Sequence, residues 1–243
     1  METAEYLDAV EANGRLLAAG AEGWLDVPVP CCPGWMVEDV VRHTGKVHRH
    51  ITDRVRRGST SEDDVTRVKA PRGEDVLPWF REGVADMLGV LGAADLDAPV
   101  WNWSATKPQT AAFWPRRMAQ ETVVHRADVD VARGAVDPIA PVLAADGVDE
   151  FFEVFLPLDV EAFTGDGPSV LVRTTDAPTA WTVTAGPGAA EIAREARGDP
   201  AATISGVASD VLLVLWRRLG VEAVDVAGDR ELAERFLAAT DLS

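Results

Sequence analysis

The feature that most constrains this chain is a change in hydrophobic period near residue 165. Before it, apolar residues recur at helical spacing. Leu7, Val10, Leu17 and Trp24 mark a helix expected over residues 3–23. Val37, Val40, Val41, Val47, Ile51 and Val55 mark a second over 35–57. Val76, Phe80, Val84, Met87, Leu88 and Leu91 mark a third over 73–93, and a fourth is expected over 111–133. A fifth, over 142–163, carries Phe151, Phe152, Phe155 and Leu156. A helix with one apolar stripe must bury it against a neighbour, so four such helices joined by loops predict an antiparallel bundle. After the change, residues 169–174 and 180–184 are short β-branched runs that read as strands. A third strand is expected at 202–205, then a helix over 206–219, a strand at 224–226 and a closing helix over 230–239. The fold class is therefore α+β, with a helical bundle over 1–164 and a small α+β domain over 165–243.

The breaks between these elements have local causes. Val27-Pro28-Val29-Pro30-Cys31-Cys32-Pro33-Gly34 cannot be helical, because its prolines lack donors and fix φ. Residues 58–71 are polar and read as a surface loop, Trp101-Asn102-Trp103 forms an aromatic loop, and Gly186-Pro187-Gly188 is a turn.

Charge narrows the possible partners. The chain has 23 Lys and Arg against 40 Asp and Glu, a net charge of -17. Such a field repels nucleic acid and anionic membrane surfaces and leaves room only for a local basic pocket. No apolar run reaches the roughly 18 to 20 residues of a membrane span, and the acidic N-terminus does not open like a secretory signal. The two cysteines, Cys31 and Cys32, are adjacent and imply no disulfide framework, so a reducing cytoplasm is the expected location. Their prolines point to a structural role. Arg outnumbers Lys 20 to 3, as in a GC-rich genome. The short strands do not demand a partner chain, and a monomer is expected.

The scarce chemistry lies in four histidines. Glu121 and His125 are i and i+4 on the fourth helix, and so share a face one turn apart. That spacing suits two ligands of one metal, although a solvated pair has the same spacing. His43, midway along the second helix, could face them across the bundle. Two imidazoles and a carboxylate form a three-ligand set with an open position, suited to zinc or to iron in some folds. His50 shares the His43 face but lies about 10 Å along the axis, and His48 points away from it. Both are expected at the surface or its boundary. Trp101, Trp103 and Trp114 could line a pocket mouth or pack in the core. No Cys-x2-Cys, Walker loop, Gly-x-Gly-x2-Gly or His-Glu-x2-His motif is present.

Two stretches together resemble the mycothiol-dependent maleylpyruvate isomerase family. They are Pro30-Cys31-Cys32-Pro33-Gly34-Trp35-Met36-Val37-Glu38-Asp39-Val40-Val41-Arg42-His43 and Arg116-Arg117-Met118-Ala119-Gln120-Glu121-Thr122-Val123-Val124-His125-Arg126-Ala127-Asp128. Ala202-Thr-Ile-Ser-Gly206 and Leu212-Leu213-Val214-Leu215-Trp216-Arg217-Arg218 are similar to its second domain. The resemblance implies a DinB-like four-helix bundle followed by a sterol-carrier-like α+β domain. It also implies a Zn2+ site, or one for another divalent metal, on His43, Glu121 and His125, with mycothiol as thiol cosubstrate and an actinobacterial source. It maps a substrate-binding arginine onto Arg218, whereas Arg217 stands where the family usually has glycine. The activity implied is cis-trans isomerisation, or S-transfer by the same activated thiol, with pocket walls near Trp101, Trp103 and Arg117. A metal-dependent hydrolase using Asp128 as base, or a non-catalytic binding protein, would share the same ligands.

Overall fold

The computed structural model describes residues 1–104, 107–156, 167–186 and 190–239. They form two compact units, residues 1–137 and 138–243.

The first unit is built from α1 (Thr3–Ala21), α2 (Val37–Arg57), α3 (Val76–Ala93) and α4 (Phe113–Ala132). α1 packs on α3 and α4, and α2 packs on the same two helices. α2 starts where the Asp39 carboxylate accepts the Met36 backbone N–H at 3.2 Å, giving one orphan donor of the first turn a partner. It stops at Gly58, whose left-handed φ of 59° suits a residue without Cβ. The core is filled by Val10, Leu17, Val40, Val41, Ile51, Phe80, Met87, Leu91, Trp114 and Met118. Each such side chain contributes roughly 1.5–3 kcal/mol of burial. Helices α2 and α3 approach closely at Gly45, where a Cβ would collide with the Trp79 ring. The four expected bundle helices are thus present, each two or three residues shorter at one or both ends.

The second unit opens with α5 (Pro141–Glu150) and a wider turn over Phe151–Phe155, in which the Leu156 N–H reaches back five residues to the Phe151 carbonyl. The single helix expected over 142–163 therefore changes form at residue 151, and its last seven residues lie outside those described. A five-stranded sheet follows, in the order β3-β2-β1-β4-β5. Its strands are β1 (Ser169–Thr174), β2 (Ala180–Thr184), β3 (Glu191–Ala193), β4 (Ala202–Gly206) and β5 (Asp225–Gly228). Only β1 and β4 pair in parallel. α6 (Ala208–Leu215) and α7 (Arg230–Ala238) pack on this sheet.

The packing divides the chain at 137/138 rather than at 164/165. The aromatic side chains after α5 explain the difference. Phe151 and Phe155 lie 5.6 and 4.8 Å from the Trp216 ring, and Phe152 lies 5.7 Å from Trp181 on β2. The Trp181 Nε1–H also donates to Asp149 at 2.6 Å. α5 and the turn after it therefore bury their apolar faces in the second unit's core. The predicted helix over 206–219 ends early, at Leu215. There the Arg218 N–H returns to the Leu213 carbonyl at 2.7 Å and the Arg217 N–H to Val214 at 3.0 Å, a Schellman closure.

Candidate metal centre

Two helices place the candidate ligands. His43 lies in the second turn of α2, and Glu121 and His125 lie on consecutive turns of α4. The His43 Nε2 is 3.4 Å from Glu121 Oε1, and the His125 Nε2 is 3.2 Å from the same oxygen. One donor atom from each of the three side chains lies within 4.8 Å of the other two. The sequence-predicted set therefore converges on one point. Side-chain exposure falls from 42% at His43 to 17% at Glu121 and 10% at His125, so the cluster opens on the α2 side.

The surroundings orient these donors. The His125 Nδ1–H donates to Asp128 Oδ2 at 2.7 Å, which fixes the tautomer and leaves Nε2 facing Glu121. Asp128 is fully buried, and its other oxygen accepts from the Cys31 thiol at 3.5 Å. Arg117, almost fully buried, donates to Glu121 Oε2 at 3.3 Å. The Trp35 indole walls the cluster, with its ring centroid 5.0 Å from His43 and 6.4 Å from His125. Burial opposes charge at both His125 and Glu121, but their mutual attraction prevails. Glu121 and the Asp128 carboxylate push His125 up to about 10. His125, His43 and Arg117 hold Glu121 well below the usual carboxylate range.

Two imidazole nitrogens and a carboxylate oxygen, with the second nitrogen of one imidazole held by a carboxylate, form a donor set that fits a divalent metal. The chemistry such a set supports is a three-ligand ion with room for an exogenous ligand.

The remaining candidates separate clearly. His48 is not at the surface but fully buried, because it continues the inward face of α2 between Thr44 and Ile51. Burial pushes it down to about 3, so it is neutral. The Thr122 hydroxyl donates to the Met118 carbonyl at 2.6 Å, so the 2.9 Å contact with His48 makes His48 Nε2–H the donor. His50, half-buried, accepts the Thr66 N–H at Nδ1 and stays at the boundary as expected. Trp114 is core, edge-on to Trp103 at 5.2 Å, while Trp101 lies under the Arg54 guanidinium. Arg117 belongs to the cluster itself. Asp128, read from sequence as a possible base, is engaged by His125 and Cys31. Trp35 was missed, although it sits in the stretch that leads into α2. Cys31 and Cys32 form no disulfide. In the second unit, Arg217 has a φ of 57° and donates to the Leu237 and Ala238 carbonyls at 3.3 and 3.0 Å. Arg218 donates to the Trp216 carbonyl at 2.7 Å.

Comparison with known proteins decides the family. The family model of the mycothiol maleylpyruvate isomerase N-terminal domain matches residues 6–130, and the model of the corresponding C-terminal domain matches 142–235. The chain belongs to the mycothiol maleylpyruvate isomerase family. It is thus a member of an enzyme family, and the two matches fall on either side of the 137/138 division. Crystal structures of mycothiol-dependent maleylpyruvate isomerase, in one form carrying a histidine-to-alanine mutation and in the other not, share the fold. Their TM-scores are 0.60 and 0.58 at 14% and 15% identity, over 93% of this chain and 93% of theirs. A comparison with curated proteins finds no match. The Arg217 backbone is left-handed, the conformation glycine adopts without strain.

Proposed function

We propose that the chain is a metal-dependent enzyme that uses mycothiol for cis-trans isomerisation, with His43, Glu121 and His125 holding a zinc or similar divalent ion. The observation that carries the reading is the convergence of these three donors, with Asp128 behind His125, in a member of this family. When bound, such an ion lowers the pKa of a coordinated thiol and keeps it as thiolate at neutral pH.

The side chains of the chain do the rest. Asp128 holds the His125 proton on Nδ1, so Nε2 keeps its lone pair for the ion. Arg117 draws on one oxygen of Glu121 and leaves the other toward the histidines. Trp35 shields both imidazoles from water on one side. Arg218 is proposed as the contact for a substrate carboxylate, a role for which a guanidinium fork is suited. Its support is the Leu-Trp-Arg-Arg match, together with the commitment of the neighbouring Arg217 to the end of α7. Thiol chemistry of this kind fits a reducing cytoplasm. Engagement of Asp128 by two neighbours disfavours its use as a hydrolytic base.

The test combines metal analysis with thiol titration. Wild-type protein should hold one ion per chain and His43→Ala should lose it. Mycothiol should bind the metal-loaded protein calorimetrically and should be regenerated in each turnover. An ion retained in His43→Ala would overturn the ligand set. Turnover indifferent to mycothiol would overturn the activity, and thiol consumed in step with product would make the enzyme an S-transferase.

A further inference from the structure

A cluster of cations lies where α2 meets the segment over residues 67–72. An open cavity of about 570 Å³ is lined by Arg42, Lys46, Arg67, Val68, Lys69, Ala70, Pro71 and Arg72. Five of these eight residues are cations, in a chain whose net charge is -17. They include two of its three lysines.

The frame of the cavity is fixed at both ends. On one side the Thr66 N–H donates to His50 Nδ1 at 3.2 Å, and the Thr66 hydroxyl donates to Asp53, so the segment is tied to α2. On the other side the Arg42 Nε–H donates to the Pro71 carbonyl at 3.1 Å, and the Gly73 N–H donates to Glu38 at 2.5 Å. Two of the cations serve that frame, Arg42 with Asp39 at 3.4 Å and Arg72 with Glu38 at 3.0 Å. Between the ties, Lys46, Arg67 and Lys69 have no carboxylate within ion-pair distance among the described residues. Lys46 is half-buried, whereas Arg67 and Lys69 are exposed.

Three cations held around one cavity repel each other, and no acidic side chain has been supplied to offset them. An acidic surface would ordinarily provide one, since carboxylates outnumber cations by nearly two to one. The volume lies in the range of small-molecule pockets. Charge-assisted bonds from a lysine and a guanidinium favour phosphate or carboxylate oxygens. The geometry points to a binding site for a small anion bearing two or more negative charges, on phosphate or carboxylate groups, distinct from the His43, Glu121 and His125 cluster.

The experiment titrates the full-length, metal-loaded protein with inorganic phosphate and, separately, with succinate at physiological ionic strength. The comparison protein is the triple variant Lys46→Ser, Arg67→Ser, Lys69→Ser. Wild type should bind at least one of the two anions, and the variant should bind it roughly tenfold or more weakly. Which anion binds identifies the chemistry as phosphate or carboxylate. The circular dichroism spectrum of the variant should match that of wild type, which separates lost binding from lost fold. His43→Ala should retain anion binding, which separates this cavity from the metal centre. Equal binding by wild type and triple variant, absence of binding of both anions, or loss of binding in His43→Ala would each overturn the site.

Discussion

Helices α2 and α4 carry the three candidate ligands, but they hold their polar residues in different ways. α2 has one inward face, of Val37, Val40, Val41, Thr44, His48 and Ile51, and keeps its charges half-buried or exposed, with Arg54 the buried exception. α4 is buried nearly all round. Fifteen of its 20 residues are buried, and these include Arg117, His125, Arg126, Asp128 and Asp130. Among the charges of α2 only Arg54 is fully buried, and it donates to the Ser61, Glu62 and Asp64 carbonyls. A charge on α4 must find a partner inside the protein, because burial without one is costly. Position on α4 is therefore far more informative about role than position on α2.

Three substitutions test this contrast, in decreasing order of expected effect. Arg126, almost fully buried, pairs with Asp130 at 3.2 Å and donates to the Asp137 carbonyl at 2.8 Å. Arg126→Ala leaves Asp130 buried without this partner and should destabilise the fold by about 3 kcal/mol in chemical denaturation. A loss below about 1 kcal/mol would remove the distinction between the two helices. Asp128→Asn keeps the shape but weakens the hold on the His125 Nδ1–H. Metal affinity should drop by roughly 10- to 100-fold, with the circular dichroism spectrum unchanged. Unaltered affinity in a competition titration would show that the second carboxylate does not orient the ligand. Arg56 on α2 pairs with Asp86 in an exposed contact of 2.6 Å. Arg56→Ala should shift stability by less than about 0.5 kcal/mol, and a larger shift would mean that the solvent face of α2 also carries specific structure.

How much was legible follows from the same contrast. Glu121 and His125 could be paired from helical arithmetic alone, because both ligands are on one helix. Joining them to His43 needed the packing of α2 against α4, which periodicity does not specify; the family resemblance supplied it. The hold of Asp128 on His125 is an i,i+3 relation and was readable in principle. His48 was misplaced because two polar residues, Thr44 and His48, occupy inward positions on α2 and interrupt the apolar stripe. The change of period near 165 marked the first strand but not the domain boundary. The apolar residues of α5 show that it must be buried, not in which core, and Trp181 and Trp216 settle that only once the chain is folded. β3 has three residues, Glu191-Ile192-Ala193, too few for an alternation to register.

Arg217 joins the ends of two helices, α6 and α7. Its backbone turns the exit of α6 through a left-handed step that a glycine would adopt without strain, at a cost of roughly 1 kcal/mol. Its guanidinium closes the last carbonyls of α7. A change to glycine at this position would relax the first helix and loosen the second in the same step. The two effects oppose each other, so Arg217→Gly should change stability little while the last turn of α7 is held less firmly.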